Sequence, residues 1–315
     1  MAHFQSGSTY NFVDTISGQG NSFFVPEIYS KKVQIALRKA AVAEAVCNTD
    51  YMGEISSFGD TVNIIKEPQI AVADYTRGLA VTSTDLTDQE LVLTVDQAKS
   101  FSFKIDDLEK RFSHVNFQAI AADNAAYALR DAMDSNILAA ISAGATATTG
   151  MGTTGTPIDI GFGTNEVDPL NQMALAAKEL DEANAPEDGR WFVAAPEWYN
   201  QLSNSASKLL SVDFNAGQGS IRNGLVASGL LRGFSMYKSN NLPTNDLSGA
   251  TPAGSATAPE ALFGHMSSTA AASSMNKVET VRDTGTFSDI VRGLMVWGRK
   301  VLRPEVAGKI IYAID

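Results

Sequence analysis

The sequence predicts an α+β fold organised around one long helix, and three observations carry that expectation. Residues 115–142 form an uninterrupted helical run. Residues 59–105, just before it, alternate apolar and polar over lengths unusual for strands. After it, helix and strand patterns alternate and then give way to a β-rich tail.

Residues 1–25 are rich in Gly, Ser, Asn and Gln without sustained periodicity, and read as an N-terminal arm that orders by lying on something else. Pro26 and Glu27 suit a helix start, and the pattern continues helically to about Val46. Residues 26–58 are therefore an N-terminal helix and lead-in. Its Lys31, Lys32, Arg38 and Lys39 read as a solvated basic face.

Residues 59–105 are expected to form an extended hairpin. Val62, Ile64, Ile70 and Val72 keep one parity on the outgoing arm. On the return, Leu91, Leu93, Val95, Phe101, Phe103 and Ile105 alternate with Thr94, Asp96, Ser100, Ser102 and Lys104. A polar tip from about Arg77 to Gln89 joins them. Each arm runs about 15 residues, roughly 50 Å at 3.3 Å per residue, against a usual five or six residues. A lone two-stranded hairpin is marginal in water, so its distal part is expected to rest on a neighbouring molecule. An internal sandwich of broken strands is the alternative.

The helix from Val115 to Ser142 contains no Pro or Gly and is dominated by strong helix formers. Ala122, Ala126, Leu129, Met133, Ile137 and Ala140 recur at steps of three and four, whereas Arg130, Asp131, Asp134 and Ser135 lie off that stripe. Asn116 and Ser113 are candidate caps at its start, and Gly144 at its end. Its length, roughly 40 Å at 1.5 Å per residue, makes it a spine for the other segments.

Ala143 to Pro157 is small and flexible and reads as a linker. Asp168-Pro169 then opens a helix with the stripe Leu170, Met173, Ala174, Ala177 and Leu180. A short buried strand follows at Trp191 to Ala195, then helices at Pro196 to Leu202 and Ile221 to Leu231, and a strand at Phe234 to Ser239. Leu242 to Pro259 is a surface loop by composition. Ala261 to His265 reads as a strand, Ser267 to Met275 as a short helix, and Lys277–Val281, Asp289–Leu302 and Lys309–Ala313 as strands.

The chain has 315 residues, 44 % hydrophobic and 19 % charged, which is a globular composition. Its net charge of −11 argues against a general nucleic-acid-binding surface, but not against a wall that merely encloses DNA. The single cysteine, Cys47, lies among apolar residues and reads as a buried free thiol. No signal peptide or run of about 18 apolar residues is visible, so neither secretion nor a membrane span is expected.

Chemical motifs are few. His3, His114 and His265 are scattered singly, none at metal-ligand spacing, so no metal site is expected. Gly150-Met151-Gly152-Thr153-Thr154-Gly155 matches G-x-G-x-x-G, but a helical pattern precedes it and a Thr/Gly/Pro stretch follows, the reverse of a dinucleotide site. Asp106, Asp107 and Glu109 read as helix-start charges. No catalytic residue and no cofactor is predicted, and the sequence does not look like an enzyme.

Arm, helix, long hairpin, spine helix, α/β insert and terminal strands follow the order of tailed-bacteriophage major capsid proteins with the Hong Kong 97-type fold. Six stretches resemble that family: FVPEIYSKKVQIAL (23–36), GDTVNI (59–64), FKIDDLEKRF (103–112) with ALRDAMDSNILAAI (128–141), VAAPEWYNQL (193–202), NGLVASGLLRGFSMYKSNNLP (223–243) and FSDIVRGLMVWGRKVLRPE (287–305). The resemblance covers nearly the whole chain.

It implies a virion shell protein, assembled in the host cytoplasm, that forms hexamers and pentamers enclosing double-stranded DNA without sequence-specific binding. Residues 106–157 and 276–315 would be the peripheral domain with the spine helix, and 158–275 the axial domain. Residues 59–105 would be the extended loop, lying over an adjacent subunit. With only a short polar segment before the first helix, a separate scaffolding protein is expected, with a portal and in some members a decoration protein. Lys66 and Lys99 are the candidate donors for the loop crosslink that some members carry. Tyr75, Arg77, Asp85 and Asp88, near the hairpin tip, are the inter-subunit interface candidates, since Tyr and Arg are enriched at interface hot spots. An encapsulin-type nanocompartment shell, a nucleotide-dependent enzyme using residues 150–155, and a tail or fibre protein are the competing readings.

Overall fold

The computed structural model describes residues 38–39, 41–53, 61–66, 89–107, 117–146, 149–204, 230–246 and 257–314, with isolated positions at 70, 72, 74, 77, 78 and 111. At its centre is the spine helix, Phe117–Gly144, which lies within two residues of the expected span. Met133, Ile137, Leu138 and Ile141 are fully buried, but Ala126 is exposed. The apolar stripe thus becomes core only in the second half of the helix. The helix ends at Gly144 as expected, and a Cβ there would press on the Val301 side chain.

The described elements in chain order are α1 (Ala43–Val46), β1 (Thr61–Lys66), β2 (Gln89–Thr94), β3 (Gln97–Asp106), α2 (the spine), β4 (Ile158–Asp159), α3 (Pro169–Glu182), β5 (Arg190–Ala194) and α4 (Pro196–Leu202). They continue with β6 (Ser235–Lys238), β7 (Thr244–Asp246), β8 (Thr257–His265), β9 (Thr269–Arg282), β10 (Ser288–Val301) and β11 (Ala307–Ala313). The Asp168 side chain caps α3 by accepting from Leu170 N at 2.8 Å, and Pro169 occupies the first turn, as the dipeptide predicts.

Three sheets form. β1 and β2 pair as an antiparallel hairpin stem with six partnered positions. β3, β10 and β9 make a three-stranded antiparallel sheet. β4, β11, β8, β5 and β6 make a mixed sheet, with β7 added on β8. β5 reads as a continuous apolar run because both its faces are covered: Phe192 and Ala194 join α3 and α4 in one cluster, while Trp191 and Val193 face the cluster of spine residues Met133, Ile137 and Leu138. A third cluster, of Leu93, Val95, Ala270, Ala272 and Val296, seats the hairpin root on the three-stranded sheet.

Several expectations need correction. The return arm of the hairpin does not continue past Thr94. β3 leaves it and runs antiparallel to β10 in unbroken register, Gln97 opposite Trp297 through Asp106 opposite Ser288. Alternation identifies a half-buried strand but not its partner. The short helix expected over Ser267–Met275 is instead the start of β9, pairing Thr269–Ser273 with Val301–Trp297. Ala270, Ala271 and Ala272 are buried between two layers there, and tertiary packing overrides their helix propensity. Within the expected 143–157 linker, residues 149–157 are packed onto the fold and are not a loose linker. Met151 is buried, its carbonyl accepts from Ile311 N at 2.9 Å, and a Cβ on Gly152 (φ 76°) would overlap the Ile311 carbonyl.

Asp134, expected off the apolar stripe, is 2 % exposed. Its Oδ1 accepts from the backbone N–H groups of Val42 and Ala43, both at 2.7 Å, and its Oδ2 accepts from Asn241 Nδ2 at 2.9 Å. Burial is tolerated because the carboxylate is fully hydrogen-bonded. β11, grouped on sequence with residues 276–315, lies in the mixed sheet beside β8 and β4. Helix expectations at 26–37 and 221–229, and the candidate caps Ser113 and Asn116, fall outside the described residues.

Candidate inter-subunit interface

The structure gives the chemistry-bearing side chains structural employment. Cys47 is buried and its thiol is pushed up to about 12 by desolvation, with the Asp134 charge adding to the shift. His265 is held between Ser267 Oγ and the Asp188 carbonyl, both at 2.8 Å. Among the described residues no group of His, Cys, Asp or Glu is gathered to hold a metal, and no helix is long and apolar enough to cross a membrane. The G-x-G-x-x-G stretch is pinned to the backbone of β11 rather than placed between a strand and a helix N-terminus.

What remains is surface, and its apolar side chains are unevenly placed. In the hairpin stem, Val62, Ile64 and Leu93 turn toward the hairpin-root cluster. Ile65 and Val92 lie on the opposite face, with Ile65 79 % exposed. Beyond the stem, Ile70 is exposed and Val72 is 96 % exposed. Arg77 sits in a turn and is exposed, whereas Tyr75, Asp85 and Asp88 lie outside the described residues. A second group marks the free end of the three-stranded sheet: Val278 and Val281 on β9, and Phe287, 81 % exposed, in the connection to β10.

That sheet end is framed by ion pairs that sequence spacing did not flag, because their partners are up to 179 residues apart. Arg282 bonds Asp107 and, at 3.1 Å, Asp289, and its guanidinium pKa is raised chiefly by Asp107. Lys104 meets Asp283 at 2.6 Å; this bond, with those from Thr286 and the Gly285 N–H, holds the carboxylate well below its usual range. Arg292 likewise lowers Glu279. Exposed pairs of this kind contribute little stability singly, but here they frame a surface on which Val278, Val281 and Phe287 are exposed.

The N-terminal segment is tied to the spine by a clasp. Arg38 Nη2 donates to Asp123 at 2.5 Å and Asn124 at 3.1 Å, its guanidinium lies 5.3 Å from the Tyr127 ring centroid, and Lys39 N donates to Tyr127 Oη at 2.7 Å. Arg38, one of the four residues of the basic face expected on this segment, is therefore a contact to the spine.

Residues 88–310 match the family model described as phage capsid protein. The chain belongs to the phage capsid protein family. Solved structures share the fold along most of the chain. One from Mycobacterium phage Che8 is 29 % identical and covers 91 % of this chain and 97 % of its own, with a TM-score of 0.77. The capsid structure of cyanophage P-SCSP1u is 22 % identical over 99 % of this chain and 100 % of its own, TM-score 0.72. The mature capsid of bacteriophage PhiM1 shares the fold at 16 % identity, covering 98 % and 97 % with a TM-score of 0.67. No curated protein matches the chain. The fold is the Hong Kong 97-type capsid fold, and this phage capsid protein is a major capsid protein of the icosahedral head, a structural component of the virion. The encapsulin alternative is not favoured.

Proposed function

We propose that this capsid protein builds the head by tiling as hexamers and pentamers, each copy laying its arm and hairpin on neighbours, around packaged double-stranded DNA. The carrying observation is that the outer face of the hairpin stem, turned away from the cluster that seats the stem on its own chain, carries the exposed Ile65 and Val92. Beyond the stem, Ile70 and Val72 are exposed as well. A face of that kind is stable only when covered, and closed symmetry lets one contact be repeated around a shell.

In this reading β3, β9, β10 and the spine form the peripheral unit, and the mixed sheet with α3 and α4 forms the axial unit around the symmetry axes. β11 goes with the axial sheet it pairs into. Tyr75, Arg77, Asp85 and Asp88 remain the tip residues proposed to meet the neighbour. A separate scaffolding protein and a portal act in assembly within the host cytoplasm, with a decoration protein as an optional addition. The subunit needs no cofactor and carries out no catalysis.

Negative-stain electron microscopy after size exclusion tests the proposal. Closed shells or capsomer rings are expected, lost on replacing Ile65 and Val72 together by Ser and weakened by Tyr75→Ala or Arg77→Ala. A stable monomer, alone and with a scaffolding protein, would overturn it.

A further inference from the structure

We propose that Arg38, Asp123 and Tyr127 are positioning residues for assembly: they clamp the chain onto the spine of its own subunit and so fix the point from which the N-terminal arm leaves. The inference rests on the reading that the arm is laid on a neighbour, and names what aims it. Asp123, Tyr127 and Asp134 follow one another along the spine at steps of four and seven, which is one face of the helix. Their partners come in the same order: Arg38 on Asp123, Lys39 N on Tyr127 Oη at 2.7 Å, and Val42 N on Asp134 Oδ1 at 2.7 Å. From Lys39 to Val42, three steps of chain reach roughly 10 Å at 3.3 Å each. From Tyr127 to Asp134, seven helical steps rise roughly 10 Å at 1.5 Å each. The lengths match, so the described residues of the segment follow the spine, and falling residue numbers lead toward its N-terminal end.

The inner and outer anchors do different work. Asp134 is buried, and beside it Val42, Ala43, Val46 and Cys47 pack with Met133 and Ile137 in the spine-side cluster. That anchor belongs to the core. The outer clamp does not: the Arg38 and Asp123 side chains are 32 % and 67 % exposed, on the half of the spine where Ala126 is exposed too. A pair so exposed adds little to global stability. Yet Arg38 is held from three sides, by Asp123 at 2.5 Å, by Asn124 at 3.1 Å and by the Tyr127 ring, its centroid 5.3 Å away. A planar guanidinium that pairs and stacks at once is fixed in orientation, as a lysine ammonium would not be.

A contact that fixes the course of the backbone while covering little apolar surface acts on the chain that precedes it. Residues 1–37 precede Arg38, and the first 25 of them are the expected arm. With the clamp closed, that stretch starts from the N-terminal half of the spine. With the clamp open, it starts from Val42, at the buried anchor, and is a longer tether searching a wider volume before it meets a neighbour. The clamp therefore shortens the search without adding to the core.

Hydrogen exchange of the free subunit, together with shell assembly of the full chain (with a scaffolding protein where it needs one), tests the assignment. Arg38→Ala is expected to speed exchange of the Lys39 amide while the Val42 and Ala43 amides stay protected and the urea midpoint is unchanged. In assembly, Arg38→Ala is expected to lower the yield of uniform closed shells about fivefold, and R38D with D123R to restore it to within about twofold. Wild-type shell yield from Arg38→Ala, or a charge swap that restores nothing, overturns the assignment and leaves shell building intact. A yield that falls only in step with the urea midpoint makes the clamp a plain stabilising contact and also overturns it. So does loss of protection at Val42 and Ala43 in Arg38→Ala, because the two anchors would then be one. If the wild-type chain forms no shells, alone or with a scaffolding protein, the shell reading itself fails and this inference falls with it.

Discussion

Replacing Asp134 by Ala should be among the most damaging single changes in the subunit. The carboxylate joins three segments distant in sequence: α1 through Val42 and Ala43, the spine that carries it, and the turn after β6 through Asn241. Truncation orphans two buried backbone N–H groups, and each orphaned donor costs about 1–3 kcal/mol. Asn241 keeps a partner, because its Nδ2 also donates to Asp131 at 2.6 Å. Relief of the desolvated charge returns part of the loss. The net expectation is a destabilisation of about 2–5 kcal/mol. Asn241→Ala should cost less, since Asp134 retains both backbone donors. Urea unfolding of the unassembled subunit measures both, followed by fluorescence of Trp191 and Trp297, which share this cluster. An Asp134→Ala midpoint indistinguishable from wild type would refute the claim that this carboxylate joins the segments.

Three further outcomes are expected. Gly152→Ala should destabilise by about 2–4 kcal/mol, combining left-handed strain with overlap on the Ile311 carbonyl, as read by thermal unfolding. Cys47 should resist thiol reagents at pH 8 until the chain unfolds; its raised pKa means stability is intact below the ordinary thiol range and falls as pH rises from about 8.5 toward 12, checked by unfolding at graded alkaline pH. Lys104→Met should remove the main influence that depresses Asp283. Because a depressed carboxylate contributes above its unfolded pKa, the difference from wild type should hold steady at neutral pH and shrink below about pH 4, as measured by urea midpoints between pH 7 and 3.

The helices were legible where local chemistry decides alone. An unbroken run of helix formers fixes the spine, and Asp168-Pro169 and Pro196 fix the starts of α3 and α4. β9 was not legible. Its first half is Thr, Ala and Ser, yet Ala271 faces the spine-side cluster while Ala270 and Ala272 face the hairpin root. Small residues there let two layers approach one strand, a requirement of the assembled core that no local propensity expresses. Asp134 hid for the same reason: a helix-interior acid looks solvated until the backbone it serves is in place.

The interface, by contrast, left a mark in the sequence as a break in alternation. A stem with one wet face should read apolar-in and polar-out throughout. Thr61 to Lys66 starts that way, with Val62 and Ile64 inward and Asn63 outward, and then places Ile65 on the outer face beside Val92. The apolar residues of this outer face have no partner in the chain's own clusters. Of two adjacent isoleucines, Ile64 is therefore covered by the three-stranded sheet of the same subunit, and Ile65 is the one that the proposed assembly would cover with a neighbour. Replacing Ile65 by Ser should leave the unfolding of the free subunit within about 0.5 kcal/mol of wild type while lowering shell yield, whereas Ile64→Ser should damage both. Equal damage to free-subunit stability from the two substitutions would show that Ile65 is covered by its own chain.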